Sequence, residues 1–175
     1  MLVTIPVTIE YFTMLDAICC AVKLSAELKD RILQLNADYL NDIETHLVFI
    51  DDLSRVYTDP NEVEESEDSP MAPFAGQSPY DCYKLLRRLC EDNGSDIDCD
   101  SFAIIDERSL TDDTMLLVTE PEESDGGESM SVRIAFEMLQ SQLFLRMAGS
   151  TTVEEDRERA ARSDDGVRRP GMDID

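Results

Sequence analysis

The hydrophobic positions of this chain fall into short groups with two different periods, which predict strands and helices in roughly equal measure. Leu2 to Ile9 is rich in β-branched residues, is interrupted by Pro6, and reads as a strand. Leu15, Ile18, Cys19 and Val22 recur at helical spacing behind Thr13, with Asp16 three residues on, so a first helix is expected there. A second helix follows Ser25, with Leu28, Ile32, Leu35 and Tyr39 on one stripe and Glu27, Lys29, Asp30 and Arg31 off it. Leu47 to Ile50 is an apolar run stopped by Asp51 and Asp52, which fits a buried strand and a last helical turn equally well.

From Asp59 to Pro79 the pattern dissolves into acids, Pro, Ser and Gly, the composition of a flexible insertion. It ends at a strong helix start, with Ser78 as N-cap, Pro79 in the first position and Asp81 in the first turn. Tyr83, Leu86 and Cys90 form that helix's stripe, and Asn93 with Gly94 stops it. Phe102 to Ile105 and Met115 to Val118 are apolar on both faces, as central strands are. Val132, Ile134 and Phe136 alternate with Arg133 and Ala135 and make a third strand, preceded by an acidic Gly-Gly loop.

Leu139, Leu143 and Met147 continue as a helix, although Leu143 to Met147 could equally be a strand, and Gly149 closes the element. Thr152 and Glu155 are a capping-box pair, supported by Glu155 with Arg159 and Glu158 with Arg162 one turn apart. This last helix offers only Val153 and Ala160 as apolar contacts, and is expected to project or dock lightly. The fold class expected is α+β, a small mixed sheet flanked by helices with acidic disordered insertions. One domain spans residues 1–162, carrying a flexible insertion at 59–78 and an acidic loop at 120–130, and a mobile tail covers 163–175.

Charge sharpens the picture. The 175 residues hold 39 Asp and Glu against 15 Lys and Arg, a net charge of −24. Part of this excess lies in the two acidic segments, yet the remainder of the chain is acidic too. Such a surface repels phosphate backbones and anionic membranes, which argues against direct nucleic-acid or membrane binding and favours a basic protein partner or a cation. A hydrophobic fraction of 42% excludes a wholly disordered chain. The five cysteines are odd in number, include the adjacent pair Cys19 and Cys20, and follow no leader with a basic n-region; an intracellular location, cytoplasm or nucleus, is expected.

Candidate chemistry is acidic as well. Asp96, Asp98, Asp100 and Glu107 stand at positions one, three, five and twelve of a calcium-loop pattern. Ser101 occupies the position that wants Gly, and Phe102 to Ile105 reads as a strand, so an acidic turn leading into a strand is the competing reading. Asp51 and Asp106 each end an apolar run, where an α/β enzyme places a carboxylate for magnesium or general-base work. Asp106 and Glu107 lack the following Lys of a magnesium nuclease, and no second Asp stands two residues after Asp51 or Asp106. His46 is the only histidine and there is no Cys-x-x-Cys pair, so a zinc site is not expected; the thiols read as core cysteines. The basic groups Lys84, Arg87 and Arg88, and Arg157, Arg159, Arg162, Arg168 and Arg169, are expected to hold acidic segments of the same chain.

The segment SFAIIDERSLTDDTMLLV, Ser101 to Val118, resembles part of an uncharacterised domain family of bacteria and fungi, in which an apolar strand ends in Asp, a Ser/Thr-x-x-Asp turn follows, and a second apolar strand pairs beside the first. Met147-Ala148-Gly149 and Thr152 to Glu155 are similar to that family's closing strand end and final short helix. The resemblance implies an α+β sheet domain and carries no activity. The function expected is a non-enzymatic acidic module binding a basic partner surface, as an inhibitor, immunity protein or nucleic-acid mimic does, with Asp96, Asp98, Asp100, Asp106, Glu107, Asp112 and Asp113 as its acidic face. The alternative is a calcium- or magnesium-dependent protein or enzyme using Asp96, Asp98, Asp100, Asp106 and Glu107; no other cofactor is expected.

Overall fold

The computed structural model describes residues 14–41, 44–61, 63 and 72–172. The strand expected at Leu2 to Ile9 and the cap at Thr13 lie outside them. Six strands, β1 (Leu15–Cys20), β2 (Leu47–Ile50), β3 (Ile97–Ile105), β4 (Thr114–Thr119), β5 (Ser131–Ala135) and β6 (Val167–Arg168), form one mixed sheet in the order β2-β1-β3-β4-β5-β6. β1 is parallel to β2 and β3, β4 is antiparallel to β3 and β5, and β6 is parallel to β5. Five helices accompany it: α1 (Ala26–Tyr39), α2 (Pro79–Asn93), α3 (Ser109–Asp112), α4 (Leu139–Met147) and α5 (Val153–Ala160). The protein is therefore α+β, with β3 and β4 at the centre as their doubly apolar runs require.

The sheet separates two cores. On one face Ile18, Cys20, Leu47, Phe49, Ala103, Ile105 and Ile134 meet Ile32 of α1 and Leu139 and Leu143 of α4. On the other, Ala17, Cys19, Val48, Ile50 and Ile104 meet Cys82, Leu86 and Leu89 of α2. Local chemistry sets the helix ends as expected. The Ser25 side chain accepts from the Leu28 N–H, Ser78 accepts from Asp81 N–H ahead of Pro79, and Gly94 ends α2 in the left-handed region at φ 74°. Thr152 and Glu155 form the reciprocal capping box of α5.

The structure departs from several of these expectations. Leu15 to Cys20 is a strand, not a helix: Ala17 and Cys19 point into one core and Ile18 and Cys20 into the other, and a run buried on both faces satisfies a helical period by coincidence. The flexible insertion is anchored at both ends. Asn61 N–H donates to the Leu47 carbonyl, and Phe74, wholly buried, has its N–H on the Cys20 carbonyl; residues 62 and 64–71 of the insertion lie outside the described ones. The acidic loop at 120–130 is held in place. Its Gly126 carbonyl accepts from Tyr80 N–H, and Gly127, at φ 85°, is packed so tightly that a Cβ there would stand 2.7 Å from Pro121 Cβ of the same loop and 3.1 Å from Pro79 Cβ of α2. Arg157 caps the loop from α5 by donating to the carbonyls of Glu128 and Ser129.

The tail, expected to be mobile from Ser163, supplies β6 instead, with Val167 opposite Arg133 and Arg168 opposite Ile134. Leu139 to Met147 is a helix throughout, so Met147-Ala148-Gly149 closes a helix rather than a strand. α5, expected to dock lightly, carries Asp156 into complete burial. There Asp156 meets Arg146 of α4 at 2.7 Å, Arg159 at 3.3 Å and Arg168 of β6 at 3.6 Å.

Candidate functional site

The seven predicted acids do not form one face. Along β3, Asp98 lies opposite Asp16 of β1 and Ile105 opposite Cys20. Measured along β1, Asp98 and Asp106 are therefore five residue steps apart, about 16 Å at strand rise. Asp96, Asp98 and Asp100 sit at one end of the sheet, and Asp106, Glu107, Asp112 and Asp113 at the other.

At the far end, Asp106, Asp112 and Asp113 are matched by the chain's own cations. Arg133 of β5 reaches both oxygens of Asp106, which also accepts the N–H and hydroxyl of Ser109, the first residue of α3. Burial works to raise the Asp106 carboxyl, but Arg133 and Ser109 outweigh it and hold it below the usual range. Arg108 pairs with Asp112 at 2.6 Å and Arg31 binds Asp113 through both oxygens at 2.8 and 2.5 Å. Glu107 is exposed beside them. Asp51, at the end of β2, pairs with the buried Lys29 at 2.5 Å. The strand-end carboxylates stand where an α/β enzyme would place them, but in ion pairs.

The near end is different. No ion pair among the described residues reaches Asp96, Asp98 or Asp100. Asp98 turns the chain by accepting the Asp100 N–H at 2.9 Å, and Asp96 and Asp100 are exposed. The ladder with β1 slips here: Asp16 pairs with Asp98 but Ile18 with Ala103, so the four residues 99–102 stand opposite Ala17 alone and the register shifts by three. Burial raises the Asp98 carboxyl against the hydrogen bond it accepts from the Asp100 N–H, and the Asp100 charge adds a smaller push upward. Beside it, Asp16 is pushed up to about 6, first by burial and then by Asp98, against the hydrogen bond that Gln140 Nε2 donates at 2.5 Å. Gln140 Oε1 accepts the His46 N–H at 2.8 Å, tying α4 to the starts of β1 and β2. Glu120 joins the rim through its N–H on the Asp100 carbonyl.

Asp16 and Gln140 are the members that sequence reading passed over. The available signal for Asp16 was a lone carboxylate inside an otherwise apolar run. Among the described residues, no group of three or more His, Cys, Asp or Glu side chains is arranged to hold a metal ion, and the calcium-loop pattern is drawn out into β3. Comparison of the chain with protein-family models, curated proteins and solved structures finds no match.

Proposed function

We propose that this protein is a non-enzymatic interaction module whose acidic rim, Asp96, Asp98 and Asp100 with Glu120 beside them, docks on a basic surface of a partner protein. The observation that carries this reading is the division of the charges: the chain's own arginines and Lys29 pair with Asp51, Asp106, Asp112 and Asp113 at the other end of the sheet, while among the described residues no such cation pairs with the rim. Its carboxylates stand on and beside β3 rather than on a loose segment, which favours an inhibitor, immunity protein or nucleic-acid mimic over a chaperone that grips through flexible acids. Steering by the net charge of −24 speeds encounter, and a few charge-assisted hydrogen bonds fix the register. The same charge disfavours direct binding of nucleic acid. Among the described residues no helix is long and apolar enough to cross a membrane. The five cysteines are free thiols, in keeping with a reducing cytoplasm or nucleus.

The test is capture of partners from the protein's own cell lysate by the tagged full-length chain, read by mass spectrometry at low and high salt, beside the triple variant Asp96→Asn, Asp98→Asn, Asp100→Asn. One basic protein recovered stoichiometrically, released by salt and lost with the variant, is the expected result. Equal recovery by the variant, or no specific partner, overturns it. A thermal midpoint that rises with micromolar calcium or magnesium, and no longer does so in Asp98→Ala, would establish the divalent-cation alternative in its place.

A further inference from the structure

We propose that Cys90 and Cys99 are a redox-active dithiol that closes to an intramolecular disulfide under peroxide and reopens on reduction by a thiol. Cys90 lies in the last turn of α2 and Cys99 in the bulged stretch of β3, and their sulfurs are 3.4 Å apart. A disulfide needs an approach of a further ~1.4 Å. Cys90 lies one turn before the Gly94 cap and Cys99 in the register slip, where the backbone departs from regular pairing with β1. The other three cysteines differ in kind. Cys19, Cys20 and Cys82 are buried, and burial pushes their thiols well up, whereas Cys90 and Cys99 are only half-buried.

The pair also divides the two roles that the chemistry needs. As a thiolate, Cys90 accepts the hydrogen bond that the Cys99 thiol donates, which lowers Cys90 to about 7, with Arg87 one turn earlier assisting against burial and Glu91. Cys99 is raised by the same hydrogen bond and stays protonated. The Cys90 thiolate attacks one oxygen of hydrogen peroxide; the O–O bond breaks, the departing hydroxide takes up a proton to become water, and Cys90 becomes a sulfenic acid. The Cys99 sulfur then attacks the Cys90 sulfur, forming the S–S bond and breaking S–O, and the released hydroxide leaves with the Cys99 proton as a second water. Two thiols are oxidised and one peroxide is reduced. A reductant such as dithiothreitol or glutathione reverses this by thiolate attack on the disulfide, leaving oxidised in its turn.

The full-length, unmodified protein supplies the test, and no partner is needed, so its outcome is independent of the interaction reading. Reduced protein is treated with hydrogen peroxide, alkylated with iodoacetamide and digested with trypsin, which releases both cysteines in one peptide, residues 89–108. The expected peptide is lighter by two hydrogens, carries no alkyl group, and gains two alkyl groups after dithiothreitol. In Cys99→Ser, folded by circular dichroism, Cys90 is expected to be trapped by dimedone as its sulfenic acid. A peptide alkylated at both sites after peroxide, an oxygenated Cys90 beside an alkylated Cys99, or a disulfide using Cys19, Cys20 or Cys82 overturns the proposal.

Discussion

Asp16 is the residue at which burial and charge conflict most openly. Its carboxyl is raised from 3.8 to about 6, so between these values the folded chain holds a proton that the unfolded chain has released. Stability contributed by this group is full below the unfolded value and is lost as pH rises through the folded one, a loss of about 3 kcal/mol at most by neutral pH. Asp16→Asn keeps an oxygen for the Gln140 donor and removes the ionisation. The variant is therefore expected to be the more stable protein at neutral pH, with the two urea-unfolding free energies converging toward about pH 4; parallel profiles would dismiss the idea. Sequence reading chose Asp96, Asp98 and Asp100 of this rim from their alternation, which is local information. It took Asp16 for a helix-cap residue, because the partners that give Asp16 its character, Asp98 and Gln140, are distant in sequence.

At the scale of elements, α5 shows what local pattern can and cannot supply. Its capping box was readable, since Thr152 and Glu155 bond only to each other's neighbourhood. Its docking was not, because that docking rests on Asp156 and three arginines from α4, α5 and β6 rather than on an apolar stripe. β6 escaped notice for a related reason: two residues with a single apolar side chain carry no period. β1 failed in the opposite way, through too many apolar positions for any period to be excluded. The Asp156 cluster is also the strongest stability prediction. Asp156 is 0% exposed and the Arg146 side chain 3%, so Asp156→Asn leaves buried guanidinium charge without its counterion. A loss of about 3–5 kcal/mol in urea unfolding is expected, against about 0.5 or less for the exposed control Glu154→Gln. Equal midpoints for the two variants would mean that the cluster is incidental to the joining of α4, α5 and β6.

For the whole molecule, the same excess of charge has opposite consequences for folding and for binding. The totals made the excess of 24 negative charges legible, but only the topology sorts it, by bringing Arg31, Arg108 and Arg133 to one end of the sheet and leaving Asp96, Asp98 and Asp100 at the other. Within the folded chain the unmatched carboxylates repel one another, and compaction intensifies that repulsion. Salt screens exposed charges beyond a Debye length, about 8 Å at physiological ionic strength. The most buried ion pair, between Arg146 and Asp156, is sheltered from that screening, whereas exposed pairs such as Arg31 with Asp113 contribute little to begin with. Raising sodium chloride from low to physiological levels is therefore expected to raise the thermal unfolding midpoint of the free protein and to release the basic partner proposed above. A midpoint that falls with salt would show that internal ion pairs outweigh the repulsion. The rim would then be too weakly charged in its own field to steer a partner, and the interaction reading would lose its physical basis along with the stability argument.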